Sequence, residues 1–227
     1  MMRFHVIIPA AGSGSRMGTD APKQYLSLNG KSLIQHVIKV FDLATKINSI
    51  HIILSAGDAH WRSTYLNLSD KAQVHYCGGD TRAETVLNGL NAIQGQVDES
   101  DWILVHDAAR PGLSNLLLNQ LLGALENDEV GGLLAMPLAD TLKRADSEQR
   151  VSATVPRNDL WQAQTPQMFK YATLKKALTE FVGTPTDEAE AIEALGLKPK
   201  LVTGELRNLK VTYPQDLAVL SALLNHS

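Results

Sequence analysis

Apolar residues occur along the chain at two alternating spacings, and this alternation predicts an α/β fold. Short continuous apolar runs are typical of buried strands, whereas apolar residues that recur every three or four positions are typical of amphipathic helices. Strands of this kind, separated by such helices, predict a mostly parallel sheet with helices on both faces. The predicted strands cover residues 6–8, 50–54, 102–105 and 133–136, and the predicted helices cover residues 33–41, 86–93 and 117–125.

The alternation stops between about residues 138 and 169, and this region is predicted to form a protruding β-hairpin arm. It contains polar stretches, two prolines and two short β-like runs, at 141–143 and 152–155. Short runs of this kind bounded by turn residues are typical of a hairpin. A protruding arm usually has a partner, so we expect this one to lie at an interface.

Two local signals mark turns and ends in the predicted elements. The pair Asn29-Gly30 predicts a tight turn before the first helix. The last helix is predicted to begin after Thr212 as N-cap, with Gln215 in the capping-box position. Its buried face is expected to carry Leu217, Leu220 and Leu224.

Length, charge and cysteine content limit the classes of protein that this chain can represent. Its 227 residues can bury one sizeable core, so we expect a single domain, residues 1–227, with the arm inserted in it. A net charge of −3 argues against a broad nucleic-acid-binding surface. Cys77 is the only cysteine, which excludes an internal disulfide. Because the sequence shows neither a signal-peptide pattern nor an apolar run of membrane-spanning length, we expect a cytoplasmic protein.

The residues that follow the predicted strands carry the candidate chemistry, because ligands of open parallel sheets bind beyond the carboxyl ends of the strands. The first strand leads into a loop of small residues, Pro9 to Gly18, and then into Pro22-Lys23-Gln24-Tyr25. Small residues let backbone amides approach a polyphosphate, and Arg16 and Lys23 can neutralise its charge. The alternative is a Gly-rich turn with surface cations.

This loop does not match two better-known phosphate-binding motifs. A dinucleotide fingerprint requires glycine at the position of Met17. A P-loop ending at Gly30-Lys31-Ser32 requires glycine at the position of Tyr25. Neither a dinucleotide site nor a P-loop is therefore predicted.

A second candidate segment runs from Val105 to Pro111 and places Asp107 and Arg110 after a buried strand. Asp107 suits Mg²⁺, which takes few protein carboxylates and completes its shell with phosphate oxygens and water. Alternatively, Asp107 caps a turn and pairs with Arg110. His106 alone is more typical of a satisfied structural histidine than of a base. Structural zinc is not expected, because the chain has one cysteine and no His-Glu-x-x-His pattern.

Two further groups of residues have both a functional and a plain structural interpretation. The segment from Gly78 to Thr85 opens a helix whose N-terminal amides could face a ligand. Within it, however, Thr81 and Glu84 also fit an ordinary capping box. The last group consists of Arg157 and Thr165 in the arm region and Lys210 near the C-terminus, and each cation taken alone is typical of solvated surface.

These segments, taken in order, form a specific set that spans nearly the whole chain, although the first of them is shared widely among sugar nucleotidyltransferases. The set resembles the 2-C-methyl-D-erythritol 4-phosphate cytidylyltransferases, a family of the bacterial and plastid non-mevalonate isoprenoid pathway. The motifs that carry the resemblance are Pro9-Ala-Ala-Gly-x-Gly-x-Arg-Met17, Pro22-Lys-Gln-Tyr25, Gly78-Gly79 with Arg82, Val105-His-Asp-Ala-Ala-Arg-Pro111, Arg157-Asn158, Leu160-Trp161, Thr165-Pro166-Gln167, Thr186-Asp187-Glu188-Ala189 and Lys210-Val211-Thr212.

The resemblance implies a Rossmann-like nucleotidyltransferase fold and a homodimer whose β-arms help to complete the neighbouring site. It implies transfer of a cytidylyl group from CTP to 2-C-methyl-D-erythritol 4-phosphate (methylerythritol phosphate below), with Mg²⁺ or another divalent cation bound at Asp107. Arg16 and Lys23 would stabilise the pentavalent phosphorus and the leaving pyrophosphate, and Arg157 and Lys210 would hold the substrate phosphate. The nucleotide would contact Pro9, Ala10, Ala11, Gly12, Gly14, Gly79, Asp80 and Thr85. The second substrate would contact Asp107, Ala108, Arg110, Thr141, Arg157, Thr165 and Lys210.

Two positions depart from the family pattern. Thr85 stands where the family commonly has serine, and it keeps the hydroxyl. Ser15 stands where some members have a second arginine, and the loss of that cation is expected to weaken triphosphate binding without removing Arg16.

No general base is needed for the implied reaction, because a phosphomonoester is largely a dianion at neutral pH. Three alternative functions stay open on the sequence. The first is a cytidylyltransferase for another polyol phosphate, such as ribitol 5-phosphate. The second is a sugar-1-phosphate nucleotidyltransferase that uses UTP, dTTP or GTP. The third is a non-catalytic nucleotide-binding regulator on the same scaffold.

Overall fold

The computed structural model describes residues 2–12, 21–61 and 68–225. Its centre is a seven-stranded sheet, and the strand nearest the N-terminus is one of the interior strands. Eleven strands and six α-helices are described within these ranges. The strands are β1 Phe4–Pro9, β2 Ser27–Leu28, β3 Lys31–Ser32, β4 Ile47–Ile53, β5 Ala72–His75, β6 Trp102–Val105, β7 Gly131–Pro137, β8 Leu142–Ala145, β9 Val151–Val155, β10 Trp161–Lys170 and β11 Lys200–Thr203. The helices are α1 Leu33–Leu43, α2 Arg82–Ala92, α3 Asn115–Leu125, α4 Tyr171–Glu180, α5 Glu188–Ala194 and α6 Pro214–Asn225.

The main sheet has the order β11-β7-β10-β6-β1-β4-β5. All adjacent pairs are parallel except those that involve β10, which runs antiparallel to both β6 and β7. Strands β6 and β7 therefore point the same way. All strands of the sheet except β10 end at the same edge. The predicted mostly parallel sheet is confirmed.

Helices cover both faces of this sheet, as the apolar pattern predicts. One hydrophobic cluster packs α1 and α3 on one face through residues such as Phe41 and Leu121. The other cluster packs α2, α4 and α5 on the opposite face through Leu90, Leu174 and Ile192. Burying continuous apolar strands between two helical layers is the main source of stability in such a fold.

Local sequence signals account for the start of α1. Asn29 and Gly30 both have positive φ, 48° and 79°, and they connect β2 to β3 as a two-residue hairpin loop. Asn-Gly is favoured there because such loops need positive φ at both positions. Ser32 then caps α1 in a complete capping box with Gln35.

The predicted N-cap of the last helix is wrong. Helix α6 begins at Pro214, and the Asp216 carboxylate accepts hydrogen bonds from the backbone amides of Thr212 and Tyr213, both at 2.8 Å. The hydroxyl of Thr212 donates instead to the carbonyl of Lys210. The start is displaced because proline is suited to the first helical position, where its missing amide hydrogen costs nothing. Leu217, Leu220 and Leu224 do pack against the core, as predicted.

The region of the predicted arm has two parts. Strands β8 and β9 form a separate two-stranded sheet whose residues are mostly exposed. Strand β10 begins with exposed residues, continues as six buried ones, and inserts between β6 and β7. The hairpin is thus joined to the centre of the main sheet by a single continuous strand. Among the described residues no helix is both long and apolar enough to cross a membrane.

A buried polar ladder crosses three strands of the sheet. His5 contacts Ser49 at 2.7 Å, Ser49 contacts His51 at 2.7 Å, and His51 contacts His75 at 3.1 Å. At the other end, His5 contacts the buried carboxylate of Asp101 at 3.3 Å. The ladder gives each buried imidazole hydrogen-bond partners, which makes its burial tolerable.

Candidate active site

The edge where the parallel strands end borders a cavity of about 690 Å³. Most of the predicted site residues that the structure describes lie in its wall, in the loops after β1, β5 and β6 and in the C-terminal segment. Those residues are Pro9, Ala10, Ala11, Gly12, Lys23, Gly79, Asp80, Thr85, Asp107, Ala108 and Lys210. Gly14 and Arg16 lie outside the described residues.

The short helical turn Lys23–Tyr25 places Lys23 in the wall of the cavity. Buried Gln24 donates a hydrogen bond of 2.8 Å to the carbonyl of Ala10, and Tyr25 donates one of 2.7 Å to Asp58. These two contacts tie the turn to the loops after β1 and β4. Both side chains that follow Lys23 in the turn therefore have an anchoring contact of their own. Nζ of Lys23 lies 3.5 Å from the carbonyl oxygen of Val211.

Asp107 is the electrostatic centre of the site. Its Oδ1 accepts from Nε of Arg82 at 2.8 Å, and its Oδ2 lies 2.8 Å from Nζ of Lys210 and 3.6 Å from Nε of Arg110. Burial alone would raise the pKa of Asp107, but Arg82, Lys210 and Arg110 outweigh it and hold that pKa well below its usual range. The side chain is therefore a carboxylate at neutral pH.

Arg82 is held from the other side by a carboxylate that the sequence did not identify as part of the site. Its two terminal nitrogens bind the two oxygens of Glu188 at 2.6 and 3.0 Å. Burial favours a lower pKa for Arg82, but Glu188 and Asp107 outweigh it and raise that pKa above its ordinary value. Arg82 stays charged and has carboxylates on two sides. Besides Arg82, the wall residues missing from the sequence-based site are Gln24, Ser55, Gly78, Thr81, Ala109 and Thr212.

Thr165, His106 and Arg110 form a buried network behind Asp107. The hydroxyl oxygen of Thr165 accepts from the backbone amide of Asp107 at 3.1 Å and contacts Nδ1 of His106 at 3.0 Å. Nε2 of His106 lies 3.1 Å from the carbonyl oxygen of Arg110, which can only accept, so Nε2 carries the hydrogen. Burial lowers the pKa of His106 to about 4, so its ring is neutral at pH 7 and satisfied on both nitrogens.

Arg110 is likewise engaged by the protein. Its terminal nitrogens donate to the carbonyl oxygens of Asn208 at 2.8 Å and Ala163 at 3.3 Å. Asn208 in turn donates to the carbonyl of Thr165 at 2.7 Å. Arg110 and Thr165 thus connect the loop after β6, strand β10 and the segment before Lys210. Their contacts hold the three parts of the site that come from distant positions in the sequence.

The start of α2 forms another part of the cavity wall. Thr81 accepts from the amide of Glu84 at 3.0 Å, and Glu84 accepts from the amide of Asp80 at 2.8 Å. The hydroxyl of Thr85 accepts from the amide of Gly79 and donates to the carbonyl of Thr81. These local hydrogen bonds use part of the N-terminal donor capacity that a ligand would otherwise use. Thr81 thus caps the helix as predicted, but the predicted capping box is incomplete, because Glu84 accepts from the amide of Asp80 and not from that of Thr81.

Gly78 is required by close packing in the same wall. A Cβ at this position would lie 2.3 Å from Cβ of Ala11 and 2.9 Å from the carbonyl oxygen of Leu54. Its own amide donates to that carbonyl at 2.8 Å. Glycine therefore lets the loops after β1 and β5 approach each other.

Two predicted site residues lie on the arm rather than in the cavity wall. Thr141 precedes β8 and Arg157 follows β9, and both side chains are exposed. Within this one chain, neither belongs to the residues that line the cavity. Of the residues that the structure describes, those that line the cavity include no histidine and therefore no Ser-His-Asp arrangement. They combine carboxylates with lysine and arginine side chains, and the cations suit the binding of phosphate groups.

The described residues contain no cluster of three or more histidine, cysteine or acidic side chains able to hold a metal ion. Asp107 is nevertheless an ionised oxygen donor in the wall of the cavity. Mg²⁺ fits such a site, since it is commonly bound through one or two carboxylates together with substrate phosphates and water. Zinc, which prefers several nitrogen or sulfur ligands, fits it poorly.

Comparison with known proteins agrees with this geometry. A family model described as 2-C-methyl-D-erythritol 4-phosphate cytidylyltransferase matches residues 4–226. Proteins of that name from Azoarcus sp. (strain BH72) and Nitrosospira multiformis are each 55% identical to this chain; the matches span 100% of the chain and 98% and 99% of those proteins.

Solved structures lead to the same family. A crystal structure of 4-diphosphocytidyl-2C-methyl-D-erythritol synthase has a TM-score of 0.87 and 41% identity, with 99% of each chain covered. The 2-C-methyl-D-erythritol 4-phosphate cytidylyltransferase of Thermus thermophilus has a TM-score of 0.80 and 30% identity, with 99% of this chain and 100% of that one covered. These similarities confirm the predicted nucleotidyltransferase fold. The chain therefore belongs to the 2-C-methyl-D-erythritol 4-phosphate cytidylyltransferase family.

Proposed function

We propose that this protein transfers a cytidylyl group from CTP to methylerythritol phosphate, and that it thereby serves isoprenoid precursor biosynthesis by the non-mevalonate pathway. The products are 4-diphosphocytidyl-2-C-methyl-D-erythritol and pyrophosphate. The observation that carries this proposal is the convergence of Lys23 and Lys210 on one cavity: Nζ of Lys23 lies 3.5 Å from the carbonyl of Val211, the residue after Lys210. Two lysines from distant parts of the chain thus line one cavity, which suits the binding of two phosphate groups.

The reaction forms a bond between a phosphate oxygen of methylerythritol phosphate and the α-phosphorus of CTP. The bond from that phosphorus to the bridging oxygen breaks, and pyrophosphate leaves. Because the attacking phosphate is already largely a dianion, the protein has to position two repelling anions and neutralise the developing charge. Lys23, together with Arg16, would stabilise the α-phosphate and the leaving group. Lys210, together with Arg157, would hold the attacking phosphate.

The remaining predicted site residues divide between the two substrates in this proposal. The small residues after β1 and β5 would pack against the nucleotide, because they leave backbone groups accessible. This nucleotide group comprises Pro9, Ala10, Ala11, Gly12, Gly14, Gly79, Asp80 and Thr85. Asp107, Ala108, Arg110, Thr141 and Thr165 would bind or shape the site of methylerythritol phosphate.

Asp107 would hold a divalent cation, for which Mg²⁺ is our proposal. When bound, the ion would neutralise negative charge on the triphosphate. Oδ2 of Asp107 already faces a cation, the ammonium of Lys210 at 2.8 Å. Lys210 is the more exposed partner of this pair, so its side chain can turn from the carboxylate to the substrate phosphate.

We further propose a homodimer in which the arm of one protomer completes the site of the other. The exposed position of Thr141 and Arg157 on the arm, away from the cavity of their own chain, supports this arrangement. Subunit complementation tests it. Lys23→Ala and Arg157→Ala homodimers would each be nearly inactive, whereas mixed dimers would regain activity, because one of their two sites would contain neither substitution. Mixtures no more active than the separate variants would contradict a shared site.

Pyrophosphate release by the purified protein with Mg²⁺ tests the overall function. CTP with methylerythritol phosphate would be run beside CTP with ribitol 5-phosphate, and beside UTP, dTTP, ATP and GTP with methylerythritol phosphate. Rapid release only with the first pair is the expected result. Faster release with ribitol 5-phosphate or another nucleotide would overturn the substrate assignment, and absence of release with every pair would favour a regulatory protein.

A further inference from the structure

Glu188 is a fully buried carboxylate, with 0% of the residue exposed, at the first position of α5. It lies outside the cavity wall and more than a hundred residues along the chain from its partner Arg82. Burying a carboxylate is expensive even when it is paired, and apolar side chains of similar size often stabilise a fold as well or better. Stability alone therefore does not account for a charge at this position.

The start of α5 is fixed in place by strand β10. Gln167 donates from its amide nitrogen to Asp187 at 2.9 Å and accepts from the backbone amide of Ala189 at 2.8 Å. Asp187 also caps the helix by accepting from the amide of Glu190. The residues on both sides of Glu188 are thus tied to β10, which gives its carboxylate a defined position.

The pairing of Glu188 with Arg82 sets the orientation of the guanidinium. Both terminal nitrogens of Arg82 bind Glu188, at 2.6 and 3.0 Å, which leaves Nε to donate to Oδ1 of Asp107 at 2.8 Å. Two-point contact with a planar group fixes direction as well as distance. Oδ1 of Asp107 is therefore bound to Arg82, while Oδ2 is turned toward Lys210.

We propose that Glu188 is a positioning residue for cytidylyl transfer, acting through Arg82 to hold Asp107 with Oδ2 facing the site of the divalent cation and of Lys210. This inference rests on the proposed function. Without the carboxylate at position 188, Arg82 loses its two-point anchor. Its side chain is 27% exposed, so it can turn toward the cavity and compete for the phosphate groups that Lys210 and the metal must bind.

The test compares Glu188→Gln with Glu190→Gln in the same helix. Glu190 has local contacts to Thr186 and no contact with Arg82, which makes it the matched control. We expect Glu188→Gln to lower kcat about 10- to 100-fold with a small change in the KM for CTP, as is typical when a partner of a metal-binding carboxylate is removed. Glu190→Gln would retain wild-type values. Wild-type kcat in Glu188→Gln would overturn the proposal.

Metal binding provides a readout that does not depend on turnover. Mn²⁺ binding in the presence of CTP, followed by electron paramagnetic resonance, is expected to weaken about tenfold in Glu188→Gln and to stay unchanged in Glu190→Gln. Equal Mn²⁺ affinity in the wild type and Glu188→Gln would contradict the proposal. If the wild-type protein binds Mn²⁺ and CTP but releases no pyrophosphate, the proposed function fails while this comparison still stands.

A double-variant cycle covers the case in which Glu188→Gln does not fold. The apolar pair Arg82→Met with Glu188→Met removes both charges and leaves neither buried without a partner, so it is expected to fold. If Glu188 acts only through Arg82, adding Glu188→Met to Arg82→Met causes no further loss of kcat. Losses that multiply would show that Glu188 does not act through Arg82, and wild-type kcat in the double variant would overturn the inference.

Discussion

The ammonium of Lys210 lies 2.8 Å from Oδ2 of Asp107, and this ion pair joins the C-terminal segment to the loop after β6. The side chain of Lys210 is 35% exposed whereas that of Asp107 is 7% exposed, so the lysine is the partner with room to move. A substrate phosphate would compete with Asp107 for the same ammonium. A metal ion bound at Oδ2 would favour movement of the ammonium from Asp107 to the substrate phosphate, because the ion would supply the positive charge that Lys210 otherwise places beside this carboxylate.

Asp107→Asn tests the central role of this carboxylate. The substitution keeps the shape but removes the anion that three cations share, so Arg110, which is largely buried, loses its counter-ion. We expect the free energy of unfolding to fall by about 3 kcal/mol, and kcat to fall about 100-fold or more. Urea denaturation and pyrophosphate release measure the two effects. Glu129→Gln, at an exposed acidic position, serves as control; an Asp107→Asn protein as stable and active as this control would refute the account.

Lys23→Ala is expected to lower turnover by about two to three orders of magnitude. Folding should change little, because the turn that carries Lys23 is anchored by Gln24 and Tyr25. Steady-state kinetics and the melting temperature would be measured together. Lys31→Ala, at an exposed lysine in β3, is the matched control. Unchanged turnover in Lys23→Ala would remove Lys23 from the mechanism.

Gly78→Ala tests the close approach of the loops that line the nucleotide side of the cavity. The new Cβ would lie 2.3 Å from that of Ala11, so the loops must move apart. We expect the KM for CTP to rise about tenfold, equivalent to about 1.4 kcal/mol of binding free energy. At exposed Gly57 a Cβ would meet nothing within 4 Å, and Gly57→Ala should leave the KM unchanged. Equal KM values in the two variants would show that the packing at Gly78 does not shape the nucleotide site.

Stability should fall in mild acid because of the histidine ladder. Burial, followed by the neighbouring His75 and His5, lowers the pKa of His51 from 6.5 to about 3. Below pH 6.5 the imidazole of His51 is therefore mostly protonated in the unfolded chain, whereas in the folded chain it stays neutral until the pH approaches about 3. The stability associated with the neutral ring is complete above about pH 6.5 and is lost progressively as the pH falls toward about 3.

The size of this effect follows from linkage. Because only the unfolded chain protonates His51 in this range, this residue alone should lower the free energy of unfolding by about 2 kcal/mol between pH 7 and pH 5. Urea denaturation at a series of pH values measures it, and His51→Gln should have a shallower dependence than the wild type over this interval, whatever its absolute stability. Identical slopes for the two proteins would exclude His51 as the source.

Sequence patterns predicted the fold where a single local cause decides the structure. The Asn29-Gly30 turn follows from the need for positive φ at both residues. The buried strands follow from continuous apolar runs. The start of α6 differs from the prediction because Pro214 is suited to the first helical position, and the carboxylate of Asp216 inside the helix accepts from the amides of Thr212 and Tyr213.

Parts of the site could not be predicted from local sequence because they depend on tertiary contacts. The pairing of Arg82 with Glu188 joins residues 106 positions apart, and neither residue carries a spacing signal for the other. Thr165 is similar: its contact with the amide of Asp107 arises only because β10 lies beside β6. Motifs predicted most of the described residues that line the cavity. Which of these residues contact one another could be seen only in the three-dimensional structure.

Strand β10 connects the exposed hairpin to the residues behind Asp107 in the candidate site. The strand begins with exposed residues next to the hairpin and ends buried between β6 and β7, and it carries Thr165 and Gln167 along the way. The strand pairs with β7 at residues 161–163 and with both β6 and β7 at residues 167–169, and Thr165 lies between these two paired stretches. A displacement of the hairpin would therefore be passed along β10 toward the Thr165 hydroxyl that accepts from the amide of Asp107, so the hairpin is structurally coupled to the candidate site.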